Sequence, residues 1–356
     1  MRKWWWSSLV IFLIQFGIWK IIANSEMISN WWFNSITKTY NEFVSALTYN
    51  ISFPVGEILY LGLLFYIIHI IIQFIQIRKF KAIIFQLFTL LNFFLFIYQF
   101  IWGMVYYKPT FNTNYSELLV EEDEVKQLYC KYINNTEQFR EILSNQEDVP
   151  LKFSHSTIDY LEDFKESQEL LQKEKWIQNY IILKRPRVKN SLISNLQNHI
   201  GILGYYNPFT IESNVNVHNT DLKTPFTIAH ELAHQMGFAS ENEANFIAYF
   251  TGIHSNLTEV KYAASYKTSF SLLFSLWDQD PLFVMSELES LPEGIKTDRT
   301  YEINYYSKYE GTSNEAFTML NDQFLKANNQ EGTIAYSKYI ELIIYYEKYI
   351  KKGLTN

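Results

Sequence analysis

The chain has 356 residues, with 37 acidic and 30 basic side chains and a formal net charge of −7 at neutral pH. This balance excludes a broad basic surface, so we expect no nucleic-acid partner. The single cysteine, Cys130, excludes a disulfide framework within the chain and a cluster of thiolate metal ligands. The length suffices for a membrane part followed by one soluble domain of ordinary size.

Three long apolar segments in the first third of the chain predict membrane-spanning helices at about 4–23, 55–77 and 82–105. Each segment is long enough to cross a hydrocarbon core of about 30 Å. Over about 30–50, apolar residues recur at spacings of three and four. This pattern predicts an amphipathic helix that lies on the outer membrane surface or packs against the soluble domain. We therefore predict a membrane domain over residues 1–108, with the lipid bilayer as a partner.

The distribution of basic residues predicts the orientation of these spans. Arg2 and Lys3 precede the first segment, and Arg78, Lys79 and Lys81 lie between the second and the third. Cytoplasmic loops carry an excess of lysine and arginine. The chain is thus predicted to be a multi-pass protein of the cell membrane, with a cytoplasmic N-terminus and an extracytoplasmic domain over residues 109–356.

This second domain is predicted to be α+β, with many helices and a small sheet. Helices are predicted over 117–144 and 156–177, and over most of the chain beyond residue 240. Residues 211–218 alternate between apolar and polar side chains, which predicts a strand with one polar face. The glycines Gly201 and Gly204 predict a hairpin just before it.

The candidate chemistry centres on the sequence His230-Glu-Leu-Ala-His234. Histidines four residues apart lie on one face of a helix, so both imidazoles can bind a single metal ion. Glu231 is placed to act on a metal-bound water. The helix is expected to begin at Thr224-Pro225, with Thr224 as its N-cap. Because this helix is apolar on several sides, its polar side chains need a buried partner, and a zinc ion would supply one.

Two glutamates after this helix compete for the place of third ligand. Gly237 is expected in the left-handed conformation that ends the helix, and Ser240 with Glu243 fits a capping box that begins the next one. Glu243 would then be used at the helix start, which leaves Glu241 for the metal. Asn245, one turn further, would orient a ligating histidine through its other ring nitrogen. Glu243 as the ligand is the alternative.

The HExxH sequence followed by a glutamate is similar to the gluzincin metallopeptidases, whose second motif reads E-x-x-x-D. Asn245 stands where these enzymes have Asp, and the two motifs lie closer together than in most of them. The chain also resembles, over its whole length, an uncharacterised family of bacterial membrane proteins with a domain of unknown function. The matching stretches are GYYNPFTIE (204–212), PFTIAHELAHQMGFASENEANFIAYF (225–250) and NDQFLKANNQEGTIAYSKYIELIIYY (321–346). The resemblance implies a zincin-like fold and supplies no substrate.

In zincins an edge strand just before the metal-binding helix pairs with an extended substrate. By this resemblance, the strand at 211–218 or the preceding segment 205–208 would bind the substrate main chain. Tyr205, Tyr206 and Glu212 are therefore candidate substrate-binding residues.

Together these patterns predict a zinc metallopeptidase that hydrolyses a peptide or protein outside the cytoplasm, with a zinc-activated water and Glu231 as general base. The oxyanion needs a stabilising group besides zinc. Its candidates are Tyr262, Tyr266, His254 and Arg299. The alternative is a non-catalytic membrane sensor or peptide-binding module that contains zinc. The sequence predicts no oligomeric state.

Overall fold

A computed structural model describes residues 2–77, 80–111, 120–328, 330 and 336–351 of the chain. Within these residues the α-helices are α1 Arg2–Ala23, α2 Glu26–Trp32, α3 Lys38–Thr48, α4 Val55–Ile77, α5 Phe80–Ile101, α6 Glu122–Leu143, α7 Thr157–Leu171, α8 Ser194–Ile200, α9 Thr224–Gln235, α10 Glu241–His254, α11 Thr258–Ser275, α12 Pro281–Ser290, α13 Glu293–Tyr306, α14 Thr312–Ala327 and α15 Tyr336–Tyr345. The strands β1 Val188–Asn190, β2 Gly204–Asn207 and β3 Glu212–Val215 form one sheet. The prediction of a mostly helical fold with a small sheet is confirmed.

Two helices are long and apolar enough to cross a membrane, through the segments Val55–Gln73 of α4 and Ala82–Ile101 of α5. The first apolar helix, α1, meets the same criterion only together with the next helical segment, from which it is bent by 105°. The described chain thus has two candidate spans, or three if the bent pair counts as one. The third predicted span is shorter than expected, because α5 ends at Ile101 and Gly103–Tyr107 forms a 3₁₀ turn.

The predicted amphipathic helix is a helical segment over Glu26–Thr48, in which a π-helical turn joins α2 to α3. One face packs on the rest of the protein. The Asn41 side chain donates to the Gln235 carbonyl at 3.1 Å, and the Thr48 hydroxyl donates to the Thr210 carbonyl at 3.1 Å. The other face exposes the apolar side chains Met27, Trp31, Phe43 and Leu47. The segment therefore packs against the globular part and also presents an apolar surface.

The sheet has the strand order β1-β3-β2, so β3 lies in the middle. It pairs in parallel with β1 and antiparallel with β2. The predicted strand over 211–218 is therefore shorter than expected, and all four residues of β3 are buried. Because both edges of β3 are paired, it cannot take the role of an edge strand for a substrate. That place belongs to β2, whose outer edge pairs with no strand in the described part of the chain.

Several predicted helix boundaries need correction. The start predicted at 117 falls among residues 112–119, outside the described residues, and α6 begins at Glu122. The helix predicted to reach residue 177 ends at Leu171. For α9, the N-cap is Lys223, and Thr224 is the first helical residue. The Thr224 hydroxyl donates back to the Thr220 carbonyl at 2.9 Å and so does not cap the helix.

Candidate metal centre

The metal-binding motif lies on α9, which is buried nearly all round. Leu232, Ala233 and Met236 have no exposed surface. The helix ends, as predicted, at Gly237, whose φ of +93° is costly for any other residue. A Cβ at this position would also lie 2.7 Å from the Phe33 ring, so the close approach of the amphipathic segment requires glycine here. The end of α9 therefore packs directly against the amphipathic segment.

Three predicted ligands converge at one point between α9 and α10. His230 Nε2 lies 3.1 Å from Glu241 Oε2, and His234 Nε2 lies 3.7 Å from Glu241 Oε1. One ligand atom from each residue falls within 4.8 Å of the others, a spacing that could hold a metal ion. The two imidazole nitrogens and the carboxylate thus form a compact donor set.

The other nitrogen of each imidazole is held by a separate partner. His234 Nδ1 lies 2.7 Å from the Phe238 carbonyl, and His230 Nδ1 lies 2.9 Å from Asn245 Oδ1. A carbonyl oxygen only accepts, so Nδ1 carries a hydrogen, and in the neutral imidazole the Nε2 lone pair is left for a metal ion. This is the arrangement in which outer partners fix the tautomer and orientation of ligating histidines. Without a metal, burial alone would lower the pKa of His230, but the hydrogen bond and charge of Glu241 outweigh burial and raise this pKa, so the protonated Nε2 then donates to Glu241.

The rival carboxylate, Glu243, is placed elsewhere. Ser240 caps α10 by accepting from the Glu243 amide at 3.3 Å. The Glu243 carboxyl forms hydrogen bonds with Thr110 and Ser240 and lies near the Lys108 ammonium, although burial outweighs these contacts and raises its pKa. It is therefore Glu241, and not Glu243, that lies with the imidazoles.

Glu231 is buried beside the three candidate ligands, and one of its carboxyl oxygens lacks a hydrogen-bond partner in the described part of the chain. The residue is 5% exposed, and Oε2 has no hydrogen-bond partner in the described residues. Burial raises the Glu231 pKa to about 8, the Glu241 charge adds to this shift, and His230 opposes it. The main chain of β2 lies directly against the carboxyl, because a Cβ on Gly204 would be 2.9 Å from Oε1. A buried carboxyl without a partner is costly unless a ligand completes its contacts.

The electrostatics of the three convergent side chains suit a divalent cation. Burial lowers the pKa of His234 to about 4, which keeps this imidazole neutral at physiological pH. For Glu241, burial alone would raise the pKa, but the hydrogen bond from His230 and the charges of both histidines lower it to about 2. Metal binding requires deprotonated ligands, and nitrogen and carboxylate donors in this number are typical of zinc sites with an open position. The residues present therefore form a donor set that could hold a divalent metal ion.

A cleft of about 470 Å³ opens over these groups, and β2, the end of α5 and α14 form its walls. Tyr206 of β2 lines it, with its ring 6.4 Å from the His234 ring and 4.8 Å from that of Trp102. Tyr205 also lines the cleft, and its hydroxyl donates to Glu57 of α4 at 2.8 Å. Both tyrosines thus border this cleft.

Glu212, the third candidate for substrate binding, does not line this cleft. It lies in the central strand, and its carboxylate accepts from the Val55 and Gly56 amides, from the Thr210 hydroxyl and from the Lys189 ammonium. The carboxylate joins the first turn of α4 to the sheet. The structure gives Glu212 a position in the scaffold instead of at the substrate.

The four predicted oxyanion stabilisers also lie outside the cleft: Tyr262, Tyr266, His254 and Arg299. The Tyr262 hydroxyl donates to Asp298 at 2.6 Å, and the Arg299 guanidinium lies 4.5 Å from the centre of the Phe270 ring. These two side chains therefore form their contacts with other helices and not with the cleft.

Two polar residues that the sequence did not single out line the cleft instead, Tyr106 and Lys267. Burial raises the pKa of Tyr106 to about 12, the nearby Glu241 carboxylate adds to this shift, and the Trp102 and Tyr98 side chains oppose it. Burial also lowers the pKa of Lys267. Neither residue is near the motif in sequence, and the only signal for Tyr106 was its position at the end of an apolar segment.

Comparison with known proteins places the chain in one family. A family model described as "Protein of unknown function (DUF3810)" matches residues 32–344, and the chain belongs to this family. Searches of curated proteins and of solved structures found no match. The predicted membership of a family of unknown function is thereby confirmed.

Proposed function

We propose that this chain is a membrane-anchored, zinc-dependent metallopeptidase that hydrolyses peptide bonds outside the cytoplasm. One observation carries the proposal. Two imidazole Nε2 atoms and the Glu241 carboxylate converge beside a second carboxyl, Glu231, that is buried and lacks a partner for one oxygen. In this proposal His230, His234 and Glu241 hold the metal.

Each residue has a defined part in the reaction. A zinc ion, when bound here, polarises the scissile carbonyl and lowers the pKa of water. Glu231 takes a proton from the attacking water and gives it to the leaving amine, so its charge is restored at the end of the cycle. Asn245 and the Phe238 carbonyl orient the imidazoles. The outer edge of β2, which pairs with no strand among those that the structure describes, would hydrogen-bond the substrate main chain.

Tyr106 is the proposed oxyanion stabiliser. Tyr106 lines the cleft close to Glu241, and its raised pKa keeps the hydroxyl hydrogen in place at neutral pH. Removing one donor of this kind costs about 10²- to 10³-fold in kcat. We expect Tyr106→Phe to lower kcat by this amount while KM and bound zinc stay close to those of the wild type. An unchanged kcat would remove Tyr106 from the mechanism.

The direct test uses the full chain in detergent or nanodiscs and a peptide library with mass-spectrometric detection of products. We expect cleavage that a chelator abolishes, and a loss of about 10²- to 10⁴-fold in Glu231→Gln, the range for a general base. Glu231→Gln should keep its zinc, because its side chain is not among the three ligands. Cleavage that survives this substitution would contradict the proposal.

A zinc-containing sensor or peptide-binding module is the second candidate. It is favoured by the position of the four predicted oxyanion stabilisers, all of which lie away from the cleft. This function predicts one bound zinc per chain and no turnover of any peptide in the same library.

A further inference from the structure

The turn that follows β2 lies between the two candidate spans. The Phe209 ring is 6.5 Å from the Tyr60 ring of α4 and 6.2 Å from the Phe94 ring of α5. Tyr60 comes five residues after the start of α4 at Val55, and Phe94 comes seven residues before the end of α5 at Ile101. With a helical rise of 1.5 Å per residue, these positions lie about 8 Å and about 10 Å inside the helices. The turn therefore packs within the length of both candidate spans.

The polar main-chain groups of this turn have partners at that depth. The Tyr40 hydroxyl donates to the Phe209 carbonyl at 2.7 Å, and the Phe209 amide donates to Asn207 Oδ1 at 3.0 Å. The Thr210 carbonyl accepts from Thr48 at 3.1 Å. Irregular main chain occurs within a membrane only where protein or a cavity satisfies it. The turn meets this condition through the amphipathic segment.

From this turn, β2 extends along α5 to the candidate metal centre. Tyr206, three residues before Phe209, contacts Trp102 just beyond the end of α5 and packs on His234. The candidate ligands thus lie close to the C-terminal end of α5, on the side where Trp102 packs on Tyr206.

The wall opposite β2 is also apolar and is joined to α5. Phe317, Asn321 and Phe324 of α14 line the cleft at spacings of four and three. The end of α14 is held by the Tyr98 hydroxyl of α5, which donates to Asn328 Oδ1 at 2.9 Å. On its outer side, α14 exposes Met319 and Leu320, which are 68% and 65% accessible. The cleft therefore has an apolar rim beside a span.

We propose that the substrate is a membrane-anchored polypeptide, cleaved within about five residues of the point where its anchor enters the hydrocarbon. This inference rests on the proposed peptidase function. An extended segment that pairs with the outer edge of β2, which pairs with no strand among the described residues, lies in the cleft beside the end of α5. A polypeptide anchored in the bilayer enters this edge directly, whereas a soluble peptide must first partition into the interface.

The test uses the full chain in liposomes with three probes that carry the same randomised decapeptide. The decapeptide directly adjoins a single apolar span on either side, follows that span after a 20-residue Gly/Ser spacer, or is free in solution. We expect cuts in the adjoining probe within about five residues of the span, at least about 10-fold faster than in the other two. Equal or faster cleavage of the spaced or free decapeptide, abolished in Glu231→Gln, would overturn the inference and leave the peptidase proposal intact. Zinc-loaded protein that cleaves none of the probes would overturn both.

A second measurement tests the depth of the cleft without any substrate. Cys130 is the single cysteine and is exposed, so Cys130→Ser gives a background for one nitroxide label. One label is placed at Phe324→Cys on the rim. The control is Ile158→Cys, at a position that is 67% exposed at the start of α7. The opposite end of α7 is the one that leads to Trp176, whose ring stacks on Phe111 after the candidate spans, so Ile158 lies at the end of α7 that is remote from them. In liposomes, we expect the rim label to collide more with oxygen than with a water-soluble nickel chelate, and the control label to show the reverse. Water-like collisions at both positions would overturn the inference.

Discussion

Two groups of carboxylates lie on either side of β2, and they differ in how their oxygens are used. In the scaffold group, buried Glu212 and Glu57 accept hydrogen bonds on both oxygens from main-chain and side-chain donors. In the metal group, Glu241 is partly exposed and lies beside the two imidazoles, whereas Glu231 is buried and its Oε2 has no partner in the described residues. A satisfied buried carboxylate holds a fold together, whereas an unsatisfied one is costly and indicates a ligand. We therefore place the chemistry at the second group.

The scaffold group should give the largest change in stability. Lys189→Met removes the ammonium that pairs with Glu212 and leaves a charge buried. Breaking such a pair costs about 3–5 kcal/mol. We expect the melting temperature to fall on the order of 10 °C, with bound zinc unchanged.

The matched control is the double variant Lys189→Met with Glu212→Gln, which removes both charges. It should recover most of the lost stability, because a neutral pair leaves no uncompensated buried charge. If Lys189→Met lost zinc and kept its melting temperature, the assignment of Glu212 to stability and of Glu241 and Glu231 to the metal site would be contradicted.

The unsatisfied Glu231 should make the metal-free protein sensitive to pH. Its pKa is raised in the folded state to about 8, from an ordinary value of 4.5, mainly by burial. The stabilisation from its protonated form is therefore fully present below about pH 4.5 and is lost as the pH rises through about 8. We expect the unfolding free energy of the wild type to fall relative to Glu231→Gln by about 2–4 kcal/mol between pH 5 and pH 8.5.

Chelated protein and denaturant titrations at a series of pH values measure this difference. Glu231→Gln carries a neutral amide at this position and serves as the reference for the wild type, because the two proteins share all other titrating groups. If the two proteins keep a constant difference over the whole range, Glu231 is ionised with a partner and the comparison fails.

The two glutamates of α10 sharpen the comparison within the metal group. Glu241 lies with the imidazoles, whereas Glu243 lies near Thr110 and Lys108. Orienting partners of ligands are worth 10–100-fold in metal affinity, and a direct ligand is worth more. We expect Glu241→Gln to weaken zinc binding more than about 100-fold and Glu243→Gln to change it by less than about 3-fold. Competition with a chromophoric chelator gives both constants, and the reverse order would assign the third ligand to Glu243.

The sequence predicted best what is local. The spacing of His230 and His234, the turn at Gly237 and the cap at Ser240 all depend on neighbouring residues, and the structure has them as expected. The choice of Glu241 over Glu243 followed from that cap.

What the sequence did not predict depends on contacts between distant segments. Strand order decided that β2 is the edge, and no pattern within β3 carries that information. Glu212 was predicted at the substrate, but two of its donors are main-chain amides at the start of α4, more than 150 residues earlier. Tyr106 reaches the cleft from the end of α5, which periodicity cannot indicate.

The central claim is that one divalent ion binds where α9 meets α10. The most direct measurement is diffraction from zinc-loaded full-length protein on both sides of the zinc absorption edge. The account predicts one anomalous peak per chain, bonded to His230 Nε2, His234 Nε2 and the Glu241 carboxylate, with Glu231 beside it but not bonded to it. An absent peak, or a peak at any other set of side chains, would contradict it.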